Sequence, residues 1–193
     1  MKILMLGNSF TFYNDMPEML AQLTGAEVTE HTRGGARLAE QLNSDTGLGA
    51  KTQAALRDEK WDYVVLQEMS NGPITANGRY MDSVSRLCAQ IRENGAVPVI
   101  FGTWAYECGS QKMRSMDMTY EEMASGMSAA CRRAAEENGA IFADAGRAFY
   151  EKADEECLYS GDGMHPSEAG SMLAAKVLAG AIERGKKEHA VQT

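Results

Sequence analysis

The sequence predicts an α/β fold, because short apolar runs alternate along the chain with segments whose apolar residues recur at helical spacing. The run at 61–66 is mostly apolar and β-branched, which is typical of a strand covered on both faces of a sheet. No repeat or low-complexity linker divides the 193 residues. We therefore expect one domain over residues 1–193, built on a parallel sheet and ending in a polar, frayed tail from about residue 184.

The first half of the chain contains three predicted strands, at 2–6, 26–29 and 61–66. The first strand ends at Gly7-Asn8-Ser9, and a helix follows whose apolar residues have helical spacing, namely Met16, Met19, Leu20 and Leu23. Asp15 and Glu18 resemble a capping box at the start of that helix. The second strand runs into a Gly-Gly pair, and a further helix is predicted from Leu38.

The second half of the chain contains two more predicted strands, at 97–101 and 140–143. The helix before the fourth strand ends at Asn94-Gly95, and Thr119 with Glu122 forms a capping box for the next helix. Ser167 is the candidate N-cap of the last helix, which is expected to bury Ala169, Met172, Leu173 and Val177. In a parallel sheet, ligands bind at the carboxyl ends of the strands, which here lead into loops beginning at Gly7, Thr32, Gln67 and Thr103.

Charge and composition restrict the class of partner. The net charge of -8 and the pI near 5.0 disfavour nucleic acid and anionic membrane, so a small molecule or a neutral polymer is expected. The four cysteines are widely spaced, and no metal-binding pattern is present, so we expect reduced thiols and neither a metal nor a cofactor. The N-terminal apolar run is too short for a signal peptide, which predicts a cytoplasmic protein. The oligomeric state is not predicted.

Three histidines are the candidates for a catalytic base. His189 lies in the polar tail and His31 ends the second strand, so a surface or structural role is favoured for both. His165 lies in the turn Asp162-Gly163-Met164-His165-Pro166, where a carboxylate three residues earlier can reach the imidazole and orient it. The same turn is also compatible with a purely structural role. Ser9, on the loop after the first strand, is placed to be the nucleophile.

An ester hydrolase also needs hydrogen-bond donors for the developing oxyanion. Candidate donors are the backbone N–H groups of Ser9 and Gly35 and a side-chain amide from Asn71 or Gln67. Considered alone, Gly35, Asn71 and Gln67 are each more typical of an ordinary turn or cap than of an oxyanion donor. The sequence leaves the choice between the two amides open.

Taken together, these blocks resemble the SGNH hydrolases, also called GDSL-like lipases and esterases. The chain has Gly7-Asn8-Ser9 where the family has a Gly-Asp-Ser type block, a Gly-Gly pair after the second strand, and Asp162 and His165 before the last helix. The block after the third strand, Met69-Ser70-Asn71-Gly72, departs from the family's Gly-x-Asn-Asp, although Asn71 falls on the oxyanion position. The resemblance implies a three-layer, flavodoxin-like fold with a five-stranded sheet of order 2-1-3-4-5.

The resemblance implies a serine esterase in which Ser9, His165 and Asp162 act through an acyl-enzyme on short-chain or acetyl esters, including those of carbohydrates. Trp104 and Phe10 are candidate substrate contacts, and the stretch 104–118 either walls a pocket or caps the core. Two other functions remain open. One is a flavodoxin-like binder of a phosphate-containing molecule, although Gly7 to Asp15 lacks the extra glycine and the basic residue of a phosphate loop. The other is a non-catalytic carbohydrate-binding relative.

Overall fold

The computed structural model describes residues 1–153, 155 and 157–192, with side chains described as far as residue 187. Its centre is a five-stranded, all-parallel sheet of order β2-β1-β3-β4-β5, as predicted. The strands are β1 (Lys2–Gly7), β2 (Glu27–Thr32), β3 (Tyr63–Leu66), β4 (Val97–Gly102) and β5 (Ile141–Asp144). The edge strand β2 is longer than its apolar residues suggest, because it pairs with β1 over six residues as far as Gly7 and Thr32.

Helices cover both faces of the sheet, which confirms the predicted three-layer arrangement. They are α1 (Ser9–Phe12), α2 (Met16–Thr24), α3 (Leu38–Gln41), α4 (Gly47–Asp58), α5 (Gly72–Thr75), α6 (Asn77–Asn94), α7 (Gln111–Arg114), α8 (Tyr120–Glu137), α9 (Ala145–Lys152) and α10 (Glu168–Gln192). A single 3-10 turn, Tyr13–Asp15, joins α1 to α2. None of the helices in these residues is both long and apolar enough to cross a bilayer.

Strand β1 shows how the two apolar layers arise. Ile3 and Met5 pack into the core on the side of α2, α9 and α10, whereas Leu4 and Leu6 pack on the side of α4 and α6. Successive side chains of a strand point to opposite faces, so a run without alternation fills both layers. This double burial suits the interior position of β1, between β2 and β3, and its last residue lies at the edge of the sheet where the loops converge.

The two predicted capping boxes have different outcomes. Thr119 and Glu122 each accept a backbone N–H of the other, which confirms the box at the start of α8. The box expected from Asp15 and Glu18 is wrong. Asp15 has a left-handed backbone, with φ at +53°, and its side chain makes no capping hydrogen bond. A capping side chain requires an extended backbone at the N-cap, which this turn does not provide.

The last helix departs from one expectation. Helix α10 itself runs from Glu168 through Gln192, beyond the start of the polar tail expected at about residue 184. Gly185 lies directly against Ile141 of β5, where any Cβ would be 2.2 Å from the Ile141 side chain, so tertiary packing extends past that point. The deepest face of α10 is also displaced from the predicted one, and it consists of Ala174, Ala175, Leu178, Ala181 and Ile182. Ala169 is exposed.

Candidate active site

The loop after β1 holds Ser9 at the first residue of α1. Asn8 is the N-cap, and its side-chain oxygen accepts a hydrogen bond from the Phe10 N–H at 3.1 Å. A Cβ on Gly7 would lie 2.4 Å from the Thr11 hydroxyl oxygen, so only glycine allows this close approach of the chain to α1. The sequence Gly7-Asn8-Ser9 therefore combines a close-packed turn, a helix cap and an available hydroxyl.

The structure brings Ser9, His165 and Asp162 into one hydrogen-bonded series. Ser9 Oγ lies 2.8 Å from His165 Nε2, and His165 Nδ1 lies 2.6 Å from Asp162 Oδ2. The two segments are 156 residues apart in sequence, and they meet at the carboxyl edge of the sheet. His165 is 15% exposed and Asp162 is 44% exposed, so the series is open to solvent on the carboxylate side.

The turn before α10 presents the carboxylate of Asp162. Partial burial opposes ionisation, but hydrogen bonds from the His165 ring, the backbone N–H groups of His165 and Met164, and the Ser160 hydroxyl hold the pKa of Asp162 well below its usual range. An ionised carboxylate can only accept a hydrogen bond, so His165 Nδ1 carries a proton. Nε2 is then left to accept the proton of the Ser9 hydroxyl.

The loop after β2 comes next to the nucleophile through Asn8. The Asn8 side-chain N–H₂ donates to the backbone oxygen of Ala36 at 3.0 Å, a bond that an aspartate at this position could not form. Gly35, the preceding residue, has φ at +68° and is exposed, and none of the described residues accepts a hydrogen bond from its N–H. The Ser9 N–H, in the first turn of α1, is equally without an acceptor in these residues.

A family model for GDSL-like lipases and acylhydrolases matches residues 5–173. The chain belongs to this family. A solved structure from Slackia heliotrinireducens that is assigned to the SGNH hydrolases is 50% identical to this chain. The match covers 94% of this chain and 98% of that one, with a TM-score of 0.91. Family membership makes the protein a hydrolase and confirms the resemblance that its sequence blocks indicate.

More distant structures share the fold alone. A DUF4886 family protein from Bacteroides uniformis is 22% identical over 94% of this chain and 82% of its own, with a TM-score of 0.69. A catalytic mutant of an acetylxylan esterase from Geobacillus stearothermophilus is 18% identical over 94% and 93%, also with a TM-score of 0.69. No curated protein sequence matched the chain.

Gln67 cannot serve as the oxyanion amide that the sequence allowed. Its side chain is 0% exposed, and its oxygen accepts from the Asn8 N–H at 2.9 Å and the Thr11 hydroxyl at 3.0 Å. Its N–H₂ group donates to the backbone oxygen of Glu68. Its oxygen holds α1 against the end of β3 and one of its N–H groups is taken by the backbone, which favours a structural role for Gln67.

Asn71 remains the candidate side-chain amide of the third block. It precedes α5, is half-buried, and makes no capping hydrogen bond to that helix. Its N–H₂ group has a weak contact at 3.6 Å with the sulfur of Met116, from the loop after β4. A thioether is a poor acceptor, so this amide keeps most of its donor capacity.

The candidate substrate contacts Trp104 and Phe10 are core residues instead. Trp104 is 1% exposed and Phe10 is 2% exposed, and their rings stack with centroids 5.2 Å apart. Trp104 also stacks on Phe149 at 4.0 Å and donates its ring N–H to the Met164 backbone oxygen at 3.1 Å. Large aromatic rings gain most from complete burial, so these two support the turn of His165 from below rather than meeting a ligand.

The stretch 104–118 divides between the two expected roles. Met113 is buried in a cluster with Met123 and Met127 of α8, and Met116 and Met118 pack against it, so the methionines cap the core. Polar residues of the same stretch wall a groove of about 600 Å³ beside the Asp162 turn. It is lined by Glu107, Ser110, Gln111, Lys112, Ser115 and residues 161–163.

The structure does not bring the other candidate histidine with a described side chain, His31, to the series of Ser9, His165 and Asp162. His31 is buried and lies 3.1 Å from the Thr52 hydroxyl, and the side chain of His189 lies outside the described residues. Within the described part of the chain, no group of three or more His, Cys, Asp and Glu residues could hold a metal ion. Sequence reasoning missed the roles of Glu68, which accepts two backbone N–H groups, and Asn14, which bonds to the segment after His165. The only signal for Asn14 is an Asn-Asp pair between two helical segments, which is typical of a left-handed turn.

Proposed function

We propose that the protein is a serine carboxylic ester hydrolase in which Ser9 is the nucleophile, His165 the general base and Asp162 the orienting carboxylate. The observation that carries this proposal is the series of two short hydrogen bonds from Ser9 Oγ through the imidazole to Asp162. A serine hydroxyl is a weak nucleophile unless a base accepts its proton as it attacks. The bond to Asp162 favours a proton on Nδ1, which supports the proposal that Nε2 is this base at the edge of the sheet where ligands bind.

In the first step, Ser9 Oγ attacks the ester carbonyl carbon while its proton passes to His165 Nε2. The carbonyl oxygen becomes an oxyanion, which the N–H groups of Ser9 and Gly35 and the Asn71 amide stabilise. The intermediate then collapses. The bond to the leaving alcohol breaks, His165 returns the proton to the alcohol oxygen, and the acyl group stays on Ser9.

In the second step, water replaces the alcohol. His165 Nε2 accepts a proton from water as the water oxygen attacks the acyl carbon, and the proton then returns to Ser9 Oγ as the carboxylic acid leaves. Asp162 remains ionised throughout and stabilises the imidazolium that forms transiently in each step. Its several hydrogen bonds, which keep its pKa low, suit that role.

We propose short-chain or acetyl esters of hydroxylated compounds, including carbohydrates, as substrates. The groove beside Asp162 offers hydroxyl, amide, ammonium and carboxylate groups, which suit a polyol leaving group better than an apolar one. The shared fold with an acetylxylan esterase is compatible with this class. The acidic net charge also suits a neutral sugar better than an anionic substrate.

The test is covalent labelling with a fluorophosphonate probe, together with hydrolysis of p-nitrophenyl acetate. The wild type should be labelled once per chain, and Ser9→Ala should abolish labelling. His165→Ala should lower kcat by about 10⁴-fold or more, because the members of such a series act as a unit. Ser44→Ala, which changes an exposed serine far from this turn in sequence, is the matched control and should behave as wild type.

Two outcomes would contradict the hydrolase. One is a wild type that is not labelled and hydrolyses the ester no faster than Ser9→Ala. The other is a Ser9→Ala variant that is labelled as well as the wild type. If the unlabelled wild type is instead stabilised against heat by phosphate or by an oligosaccharide, a non-catalytic binding protein is the better description.

A further inference from the structure

From the packing around the imidazole, we infer that Tyr13 and Asn14 are positioning residues that hold His165 in its reactive orientation. The inference rests on the proposed role of His165 as the base. Tyr13 contacts the imidazole ring directly, and Asn14 fixes the segment that carries Tyr13. The Asn14 amide donates elsewhere, and Tyr13 acts through the face of the ring and not by a hydrogen bond to Ser9 Oγ or His165 Nε2.

The imidazole of His165 is held by aromatic rings as well as by hydrogen bonds. The Tyr13 ring stacks on it, with centroids 4.2 Å apart and an interplanar angle of 13°. The Phe10 ring meets it edge-on, with centroids 5.5 Å apart and an angle of 75°. Phe10 is itself fixed by its stack on Trp104, so this side of the imidazole rests on the core.

The hydrogen bonds alone leave one motion of the imidazole free. Asp162 holds Nδ1 and Ser9 holds Nε2, the two nitrogens that flank Cε1. Each hydrogen bond restrains the position of its nitrogen more than the tilt of the ring plane, so the plane can still rock about the line that joins them. A ring stacked on its face opposes that tilt, because any rotation would break the contact on one side or cause a clash on the other. Tyr13 supplies the constraint that the two polar partners cannot.

The same short segment carries the nucleophile and the stacking ring. Tyr13 follows α1 directly, and its backbone N–H donates to the Ser9 backbone oxygen. Residues four apart on a helical segment face the same side, so Ser9 and Tyr13 both face the imidazole. One turn of chain thereby carries both Ser9 Oγ, which Nε2 must reach, and the Tyr13 ring, which supports the face of the imidazole.

Asn14 ties this segment to the chain that carries His165. Its side-chain N–H₂ group donates to the backbone oxygen of Pro166 at 3.0 Å and to the Ser171 hydroxyl oxygen at 2.9 Å. The Ser171 hydroxyl in turn donates to the Tyr13 backbone oxygen at 3.2 Å. Pro166 is the residue after His165, so the polar links and the ring stack connect the same two segments at adjacent residues.

Asn14 makes these bonds from a left-handed backbone. Its φ is +54°, and the next residue, Asp15, has φ at +53°. Glycine would adopt both conformations more easily. At Asn14 the two side-chain bonds explain why an amide is present instead, whereas Asp15 has the same backbone geometry without a capping hydrogen bond. Asp15 is therefore a matched control for Asn14.

This device should affect turnover more than binding of a small ester. His165 Nε2 has to accept a proton from Ser9 and then deliver it to the leaving oxygen without losing its alignment. A misplacement of about 1 Å can cost about 10²-fold in rate. A small ester that does not contact Tyr13 should keep its KM while kcat falls.

The test compares kcat and KM for p-nitrophenyl acetate in Tyr13→Leu, Tyr13→Phe, Asn14→Gly and Asp15→Gly. Tyr13→Leu should lower kcat roughly 10- to 100-fold at unchanged KM, and Tyr13→Phe, which keeps the ring, should stay within about threefold of the wild type. Asn14→Gly should lower kcat about tenfold although it relieves the strained backbone. Asp15→Gly should leave kcat unchanged. Thermal melting identifies any variant that has simply unfolded.

A second readout reports on the imidazole without any reaction. A ring stacked on an aromatic face has its proton resonances shifted upfield, and the His165 signals can be assigned by their loss in His165→Ala. They should be upfield in wild type and Tyr13→Phe and should move downfield in Tyr13→Leu. Since the chain has three histidines, the spectrum is simple.

The outcomes separate this inference from the proposed function. If wild-type hydrolysis depends on Ser9 but Tyr13→Leu keeps the wild-type kcat, the positioning role is wrong and the hydrolase stands. It is also wrong if the folded Tyr13→Leu loses kcat with no movement of the His165 signals, or if Asp15→Gly loses as much as Asn14→Gly. If there is no Ser9-dependent hydrolysis, the proposed function fails and the inference fails with it, whatever the spectra show.

Discussion

Polar side chains at the carboxyl edge of the sheet form two sets with opposite properties. Ser9, Asp162 and His165 are all at least partly exposed and hydrogen-bond to one another at the edge where ligands bind in open α/β sheets, and we call them the crevice residues. Gln67 and Glu68 at the end of β3 and His31 in β2 are turned inward, and we call them the inner polar residues. The two sets lie at the same edge of the sheet, yet only the first has a proposed role in the reaction.

The inner polar residues use their bonding capacity within the protein. Glu68 accepts hydrogen bonds from the N–H groups of Met69 at 2.8 Å and Leu38 at 3.2 Å, which ties the start of α3 to the end of β3. Burial raises the pKa of Glu68 despite these bonds. Gln67 binds α1 in the same way. Position at a strand end is therefore not sufficient for function, because adjacent loops also need polar partners to close against the sheet.

The largest expected effect comes from changing the outermost crevice residue. In Asp162→Asn the side-chain oxygen can still accept from the backbone N–H groups of Met164 and His165, so the turn should persist. Its new N–H₂ group would force the proton of His165 onto Nε2, where it cannot accept from Ser9. We expect a loss of about 10⁴-fold in kcat with little change in thermal stability. Steady-state kinetics and melting on the same sample check this, and a variant with wild-type kcat would remove Asp162 from the reaction.

The next largest effect on kcat is expected at Asn71, which belongs to neither set so far. Asn71→Ala should lower kcat by about 10²- to 10³-fold, because one oxyanion donor is lost in the transition state. Asn77→Ala is the matched control, since the Asn77 amide donates to the Pro73 backbone oxygen and has no proposed role in the reaction. Comparison of kcat for the two variants is the measurement. Equal values for both would assign Asn71 to the inner polar residues.

Gln67→Ala should have the opposite signature. It leaves the buried Asn8 N–H and Thr11 hydroxyl without their acceptor, which should lower the free energy of unfolding by roughly 3 kcal/mol. Urea unfolding followed by circular dichroism measures this. Unchanged stability combined with a specific loss of kcat would contradict the structural role and return Gln67 to the oxyanion candidates.

The smallest effect is expected on the free energy of unfolding when His31 becomes protonated at acid pH. Burial, and then the positive charge of Lys51, lower the pKa of His31 from 6.5 to about 4. Between pH 6.5 and pH 4, the unfolded chain therefore binds a proton at His31 that the folded chain does not bind. The contribution of His31 to the free energy of unfolding is fully present above pH 6.5 and is lost as the pH decreases towards 4. We expect a loss of about 2 kcal/mol from this group between pH 7 and pH 5.

The control for this pH dependence is His31→Gln, which cannot take up the proton. Its urea-unfolding free energy should be lower than that of the wild type at pH 7 and should change less between pH 7 and pH 5. If the two proteins have parallel pH dependences, His31 is not the group responsible.

Much of the fold and the centre of the site could be predicted from local sequence. The order of the strands followed from the resemblance, and the apolar runs located them because burial on both faces leaves a simple pattern. Asp162 and His165 are three residues apart, so one turn determines their contact. Left-handed geometry at Asn14 and Asp15 left only the weak signal of an Asn-Asp pair, and it removed the expected capping box.

The sequence by itself determined an α/β protein with a hydroxyl after the first strand and an Asp-His turn before the last helix, because these features depend on residues close together in the chain. Only the tertiary structure decided which polar and aromatic residues face the crevice. Gln67 accepts a hydrogen bond from Thr11 of α1, Trp104 and Phe10 stack on each other in the core, and the Tyr13 ring stacks on the imidazole of His165. Each of these contacts joins distant segments or depends on the direction of a side chain, and neither is encoded in spacing along the sequence.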